Sequence, residues 1–216
     1  MHILFEDRNI VVCVKPHGIV SQSSHDGKDM IAQLSAQLGC DIHPVHRLDK
    51  ETGGVMVYAK TAKAAAKLCD DVANRRLQKT YLAIVKGEFP DENGEMRDLL
   101  FRDQKRNKSF VVTRQRKGVK EAVLQYEKLS SDDGVSLMKV TLITGRTHQI
   151  RVQFASRGYP LVGDRRYGGD TAPCLGLWAH TLSFPHPATG ETLTFFADPT
   201  DSEAFRSIDI RKEDRT

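Results

Sequence analysis

Two runs rich in β-branched and apolar residues, Ala122 to Leu129 and Val135 to Ile143, flank Asp132-Asp133-Gly134. An Asp-Gly pair between such runs supplies the residues that a tight hairpin turn demands, so the centre of the chain is expected to be antiparallel sheet. Ile10 to Val14, Val55 to Ala59 and Tyr81 to Val85 are further short runs of this kind. One helix is predicted over Ala62 to Leu77, capped by Thr61, with Ala65, Leu68, Cys69, Val72 and Leu77 near one face. Strands outnumber helices and adjacent strands read as hairpins, which specifies an α+β fold on a mostly antiparallel or mixed sheet flanked by helices and loops. Residues after about Asp198 are polar and expected to fray, although Phe205 and Ile208 could pack a final helical turn.

A chain of 216 residues can bury a sizeable core, and 39% hydrophobic residues suit a globular protein. No Pro- or Ser-rich linker divides it, so one domain over 1–216 is expected. The net charge of +4 permits a polyanionic partner without requiring one. Its distribution says more: between Arg97 and Lys120 stand nine Lys or Arg against two Asp, interrupted by Phe110-Val111-Val112. Such a stretch suits a phosphate track and equally a solvated face. Cys13, Cys40, Cys69 and Cys174 are widely spaced with no Cys-x-x-Cys, which suggests neither a zinc site nor a disulfide framework and makes a reducing cytoplasm the simplest setting. The N-terminus lacks a basic region followed by a long apolar core, and no segment approaches the roughly 18 apolar residues of a membrane span. Neither export nor a membrane partner is expected. Without a Gly-x-Ser-x-Gly, P-loop or dinucleotide fingerprint, nucleotide hydrolysis and hydride transfer drop out.

Two polar segments concentrate chemistry. In His43-Pro44-Val45-His46-Arg47-Leu48-Asp49-Lys50-Glu51-Thr52-Gly53-Gly54, Asp49 precedes the apolar run Val55 to Ala59, and Arg47 points to the same side in an extended chain. This suits a carboxylate presented from a rigid base, and equally a turn whose Asp and Thr bond their own backbone. In the second segment, Thr144 to Gly168, Thr147 can cap a short helix with Ile150 and Phe154 facing inward, ended by Gly158 and Pro160. Arg146, His148 and Arg151 cluster at its start, where backbone N–H groups are unpaired; a solvated face accounts for them as well.

Taken together, the segments resemble the paired signatures of the RluA-type family of RNA pseudouridine synthases. The His-Arg-Leu-Asp-x-x-Thr-x-Gly element is matched by His46 to Gly54, and the Thr-Gly-Arg-x-His-Gln and Gly-Asp-x-x-Tyr-Gly elements by Thr144 to Arg151 and Gly163 to Gly168. Gln78 to Gly87 is similar to the family's Lys-x-Tyr strand, Lys15-Pro16-His17-Gly18 to its Lys-Pro-x-Gly loop, and Ala179 to Pro187 to a closing strand motif. The likeness runs from about Ile3 to about Ala197. One departure is Gly53, where the family usually has Ser.

The resemblance implies a cofactor-free isomerase acting on structured ribosomal or transfer RNA, built on a mostly antiparallel central sheet. It makes Asp49 the nucleophile or sugar-proton base, Arg151 its counter-charge, and Tyr81 the aromatic that stacks on a flipped uracil. Arg47 would fill the space the base vacates. Arg146, His148 and Asp164 are expected to support the cleft, with Arg146 and His148 facing RNA. Many relatives carry an N-terminal S4-type domain ahead of the Lys-Pro-x-Gly loop; with that loop at Lys15 none is expected here. RNA recognition then falls to the catalytic domain, through Arg102, Lys105, Arg106 and Lys108. A monomer is the default. Competing classes are a catalytically silent RNA-binding protein, and a glycoside- or nucleoside-cleaving hydrolase with a water-activating Glu51. His43, His46 and Asp49 have the rhythm of metal ligands, but Pro44 disfavours a helix that would align them.

Overall fold

The computed structural model describes residues 1–24, 27–169, 171–200 and 202–206. In chain order its elements are β1 (His2–Glu6), β2 (Ile10–Lys15), α1 (Met30–Leu38), β3 (His43–Pro44), β4 (Gly53–Ala59), α2 (Ala62–Ala73), β5 (Gln78–Lys86), β6 (Asn93–Asp103), β7 (Lys108–Val112), β8 (Val119–Asp132), β9 (Val135–Leu142), α3 (Gln149–Ser156), β10 (Leu177–Pro185) and β11 (Thr192–Phe196), followed by a 3₁₀ turn, Glu203–Phe205. The predicted α+β class holds. The chain forms two compact units, Met1–Lys79 with Trp178–Pro199, and Thr80–Leu177 with the described part of Thr200–Thr216.

In the first unit β4 lies at the centre. It pairs antiparallel with β2 from Ile10↔Ala59 to Lys15↔Gly54, parallel with β10 at Trp178↔Gly53, and antiparallel with the two residues of β3. β1 extends the sheet beyond β2, and β11 beyond β10. All seven residues of β4 are buried, as a strand covered on both faces requires. Ile10, Val12, Val55, Val57, Leu182 and Phe184 form one core with Ala64 and Leu68 of α2. Each such aliphatic side chain contributes about 1.5–3 kcal/mol when fully buried.

Thr61 caps α2 as expected, its Oγ1 accepting from Ala64 N (3.1 Å). The helix stops at Ala73, short of the expected Leu77. Arg75 adopts a left-handed conformation, and Arg76 N donates to Asp71 O (2.8 Å) while Arg76 Nε reaches the buried Asp71 carboxylate (2.6 Å). Leu77 joins the core from outside the helix, and Cys69 is exposed, not inward-facing.

In the second unit the strand order is β5-β9-β8-β6-β7, all antiparallel. The expected hairpin is present: Asp132 pairs with Val135, and the two loop residues, Asp133 (φ 50°) and Gly134 (φ 74°), both take positive φ, as a type I′ turn requires. β6 and β7 add a hairpin to the basic stretch that composition alone did not reveal as sheet. Phe205 is buried; Ile208 lies outside the described residues.

Candidate active site

In the first unit, the segment carrying Asp49 is fixed by side chains from the Lys-Pro-x-Gly loop and its continuation. Lys15, wholly buried, donates from Nζ to Pro16 O (2.9 Å), Ile19 O (2.6 Å) and Lys50 O (3.1 Å). Gly18 N reaches the same Lys50 carbonyl (2.9 Å). Ser21 Oγ donates to Leu48 O (2.9 Å) and accepts from Leu48 N (3.3 Å). His17 Nδ1 donates to Glu51 O (2.6 Å). The residues on both sides of Asp49 are therefore immobilised, while Thr52 N closes a turn on Asp49 O (3.0 Å). Asp49 is half-buried and Arg47 exposed.

Burial pushes the Lys15 ammonium down to about 8, against the opposing pull of the Asp49 and Glu51 charges. Lys15 is thus a positive charge for Asp49 within this unit as well as a clamp on its loop. Sequence reading placed Lys15 in a motif but gave it no role; the signal available was a lysine ending an apolar strand. His46 is structural: Val57 N donates to its Nε2 (3.1 Å), and burial, then the charge of Lys79, hold it well below the usual histidine range. That Nε2 lone pair is engaged, and among the described residues no three His, Cys, Asp or Glu are grouped to hold a metal.

The second unit holds the other expected residues. Tyr81 is buried in β5, paired with Val140. Arg151, in the first turn of α3, is 3% exposed, and its Nε and Nη2 grip the two oxygens of buried Asp164 at 2.7 and 2.8 Å. This forked geometry fixes direction as well as charge. The ring of Tyr167 lies 5.4 Å from the guanidinium carbon. Asp164 belongs to a turn that needs its glycines: a Cβ on Gly169 would meet Asp164 N at 2.5 Å.

Thr147 does not cap α3. The N-cap is His148 in a left-handed conformation (φ 54°), without a side-chain cap bond. Gln149 Oε1 turns back instead to accept from Arg146 N (3.0 Å) and Thr144 Oγ1 (2.8 Å), which fixes the chain leading into the helix. Ile150 and Phe154 are buried as expected. Arg146 Nε donates to Glu121 O (2.9 Å). Arg102, Lys105 and Arg106 are exposed on the β6–β7 hairpin, and Lys108 Nζ sits 4.9 Å from the Tyr167 ring centroid.

A family model described as RNA pseudouridylate synthase matches residues 9–156. The chain belongs to this family. Within it, the chain is 32% identical to the dual-specificity RNA pseudouridine synthase RluA of Haemophilus influenzae, over 91% of this chain and 92% of that one. It is 35% identical to ribosomal large subunit pseudouridine synthase D of Borreliella burgdorferi, over 77% of this chain and 54% of that one. Human RNA Pseudouridylate Synthase Domain Containing 4 superposes with a TM-score of 0.76 at 26% identity, covering 91% of this chain and 88% of that one. The synthase is therefore an isomerase of the RluA family. No helix among its described residues is long and apolar enough to cross a membrane.

Proposed function

We propose that this synthase converts uridine to pseudouridine in structured ribosomal or transfer RNA, with Asp49 as the reacting carboxylate and no cofactor. The observation that carries the reading is the immobilised loop: a half-buried carboxylate held from both sides by Ser21, Lys15 and Gly18 beside an exposed arginine. A surface turn needs no buried ammonium beneath it, whereas a carboxylate that must meet one ribose position does.

The reaction breaks the bond between C1′ and N1, turns the uracil, and joins C1′ to C5, after which the C5 proton leaves and N1 takes up a proton. Two routes use the same carboxylate, attack at C1′ or removal of a sugar proton, and both need it ionised. Arg151 is assigned the counter-charge that the family resemblance implies. Tyr81 would stack on the flipped base and Arg47 occupy the gap it leaves; flipping costs a few kcal/mol, which contacts along the basic hairpin offset.

The test is pseudouridine mapping of ribosomal and transfer RNA from cells lacking this gene, complemented with the intact chain or with Asp49→Ala. One or more sites should vanish and return only with the intact chain. Restoration by Asp49→Ala, or no missing site, would favour a binding protein without catalysis.

A further inference from the structure

The turn Asp164–Tyr167 grips two features of the second unit at once, Arg151 and the β6–β7 hairpin. Toward Arg151 it supplies the Asp164 carboxylate, whose Oδ1 is itself held by Arg166 N (3.1 Å) and Tyr167 N (3.3 Å). It also supplies the Tyr167 ring against the guanidinium. Toward the hairpin, Arg166 Nη1 donates to the carbonyls of Arg106 and Asn107 (3.1 and 3.2 Å), and Lys108 Nζ lies 4.9 Å from the Tyr167 ring centroid.

The phenol oxygen is the junction. Ser109 N, on β7, donates to it at 2.7 Å, and His148 Nδ1 lies 3.0 Å away. The Ser109 N–H takes one lone pair of the phenol oxygen, and the hydroxyl shares its other hydrogen bond with the imidazole Nδ1 of His148. His148 is the left-handed residue that starts α3, three positions before Arg151, and Ser109, the other partner of the phenol, also ties β7 to Thr147 O through Oγ (2.7 Å). A non-glycine residue persists in that conformation only when its surroundings hold it there. Burial raises the phenol's pKa, so it stays protonated.

We propose that Tyr167 is a positioning residue: its hydroxyl locks the start of α3 to the basic hairpin and so sets the direction in which Arg151 presents its charge. This rests on the synthase reading for the purpose of Arg151, but the mechanical claim is independent of it.

Tyr167→Phe keeps the ring and removes only the hydroxyl. The probe is total RNA labelled with [5-³H]uridine from cells lacking the gene, in which loss of the C5 hydrogen is counted as released tritium. The expected result is a kcat lowered about tenfold or more with KM little changed, the pattern of an interaction used in the transition state rather than in binding. In parallel, the Arg151 Nε–H signal, assigned by its absence in Arg151→Lys, should exchange with solvent several-fold faster in Tyr167→Phe. An unchanged kcat, or an Nε–H exchange rate equal to that of the intact chain, would overturn the proposal. Should the intact chain itself release no tritium, the synthase reading fails, and the exchange measurement still decides whether Tyr167 positions Arg151.

Discussion

Gly53 lies against the six-membered ring of Trp178: a Cβ at residue 53 would come within 2.7 Å of Trp178 Cε3. The indole is held there by its Nε1–H on Ala197 O (2.5 Å) and by the neighbouring ring of His17, 5.4 Å away. The family pattern has a serine at this position, and in this chain the indole fills the space its side chain would use. Gly53→Ser should therefore overpack the site and cost about 1–3 kcal/mol. Combined with Trp178→Leu the two losses should fall short of their sum by about 0.5 kcal/mol or more in urea melts, since the smaller leucine relieves the serine's clash and the serine fills part of the space the indole leaves. Strict additivity would show that ring and residue are independent.

Lys15 sets a second expectation. Its pKa of about 8 lies below the ordinary lysine value of 10.5 because burial penalises the charge. The unfolded chain thus binds more protons than the folded one between these values, and stability gains from this residue as pH rises through about 8 to 10.5, by roughly 3 kcal/mol at the limit. Activity should move the other way. Above about 8 the neutral amine has one donor fewer for its three carbonyls, the Asp49 loop loosens, and turnover falls. Lys15→Met should lose about tenfold or more in turnover at neutral pH, and its stability should lack the alkaline gain. Activity of Lys15→Met close to that of the intact chain would remove the clamp from the mechanism.

Much of this was legible locally. The Asp133-Gly134 turn, the β-branched runs and the Thr61 cap are short-range chemistry, and all were placed from neighbours in the chain. β6 and β7 were not, because Arg97, Asp98, Arg102 and Lys108 break the apolar alternation that marks a half-buried strand. The end of α2 was misjudged because Asp71 is buried and draws Arg76 back, a contact that hydrophobic periodicity does not encode. At the site, the identities of Asp49 and Arg151 came from pattern, but their supports did not. Asp164 stands thirteen residues beyond Arg151 and Lys15 thirty-five before Lys50, separations that only the folded chain closes.

The basic hairpin gives a third prediction. Replacing Arg102, Lys105, Arg106 and Lys108 with Gln should weaken binding to transcribed ribosomal and transfer RNA. The slope of log affinity against log salt should flatten by up to about 3, each lost phosphate contact contributing about 0.7 to 0.9. An unchanged slope would place the phosphate contacts elsewhere.

Acid should destabilise the first unit through two aspartates. Burial opposes the ionisation of Asp7 and Asp29, but backbone donors outweigh it: Ile10 and Asn9 for Asp7, Ala32 and Ser24 for Asp29, holding both below the ordinary value. A depressed carboxylate contributes stability that is complete above its unfolded pKa of about 3.9 and is lost as pH falls through the folded value. Asp29 also caps α1, accepting from Ala32 N at 2.9 Å. Asp29→Ala should therefore cost about 1–2 kcal/mol at pH 7, and the gap to the intact chain should narrow below pH 4. A pH-independent gap would mean the loss is one of packing.

Ser21 holds both backbone groups of Leu48, and Lys15 with Gly18 holds the carbonyl of Lys50. The conformational entropy of the Asp49 loop, about 1–2 kcal/mol per residue, is thus surrendered when the protein folds and not when RNA arrives. At this loop, shape change on binding would be left to the RNA. Targets would then be sorted by how readily their strands deform around a fixed carboxylate, so a uridine in a soft loop can outcompete one with the same neighbours in a stiff stem.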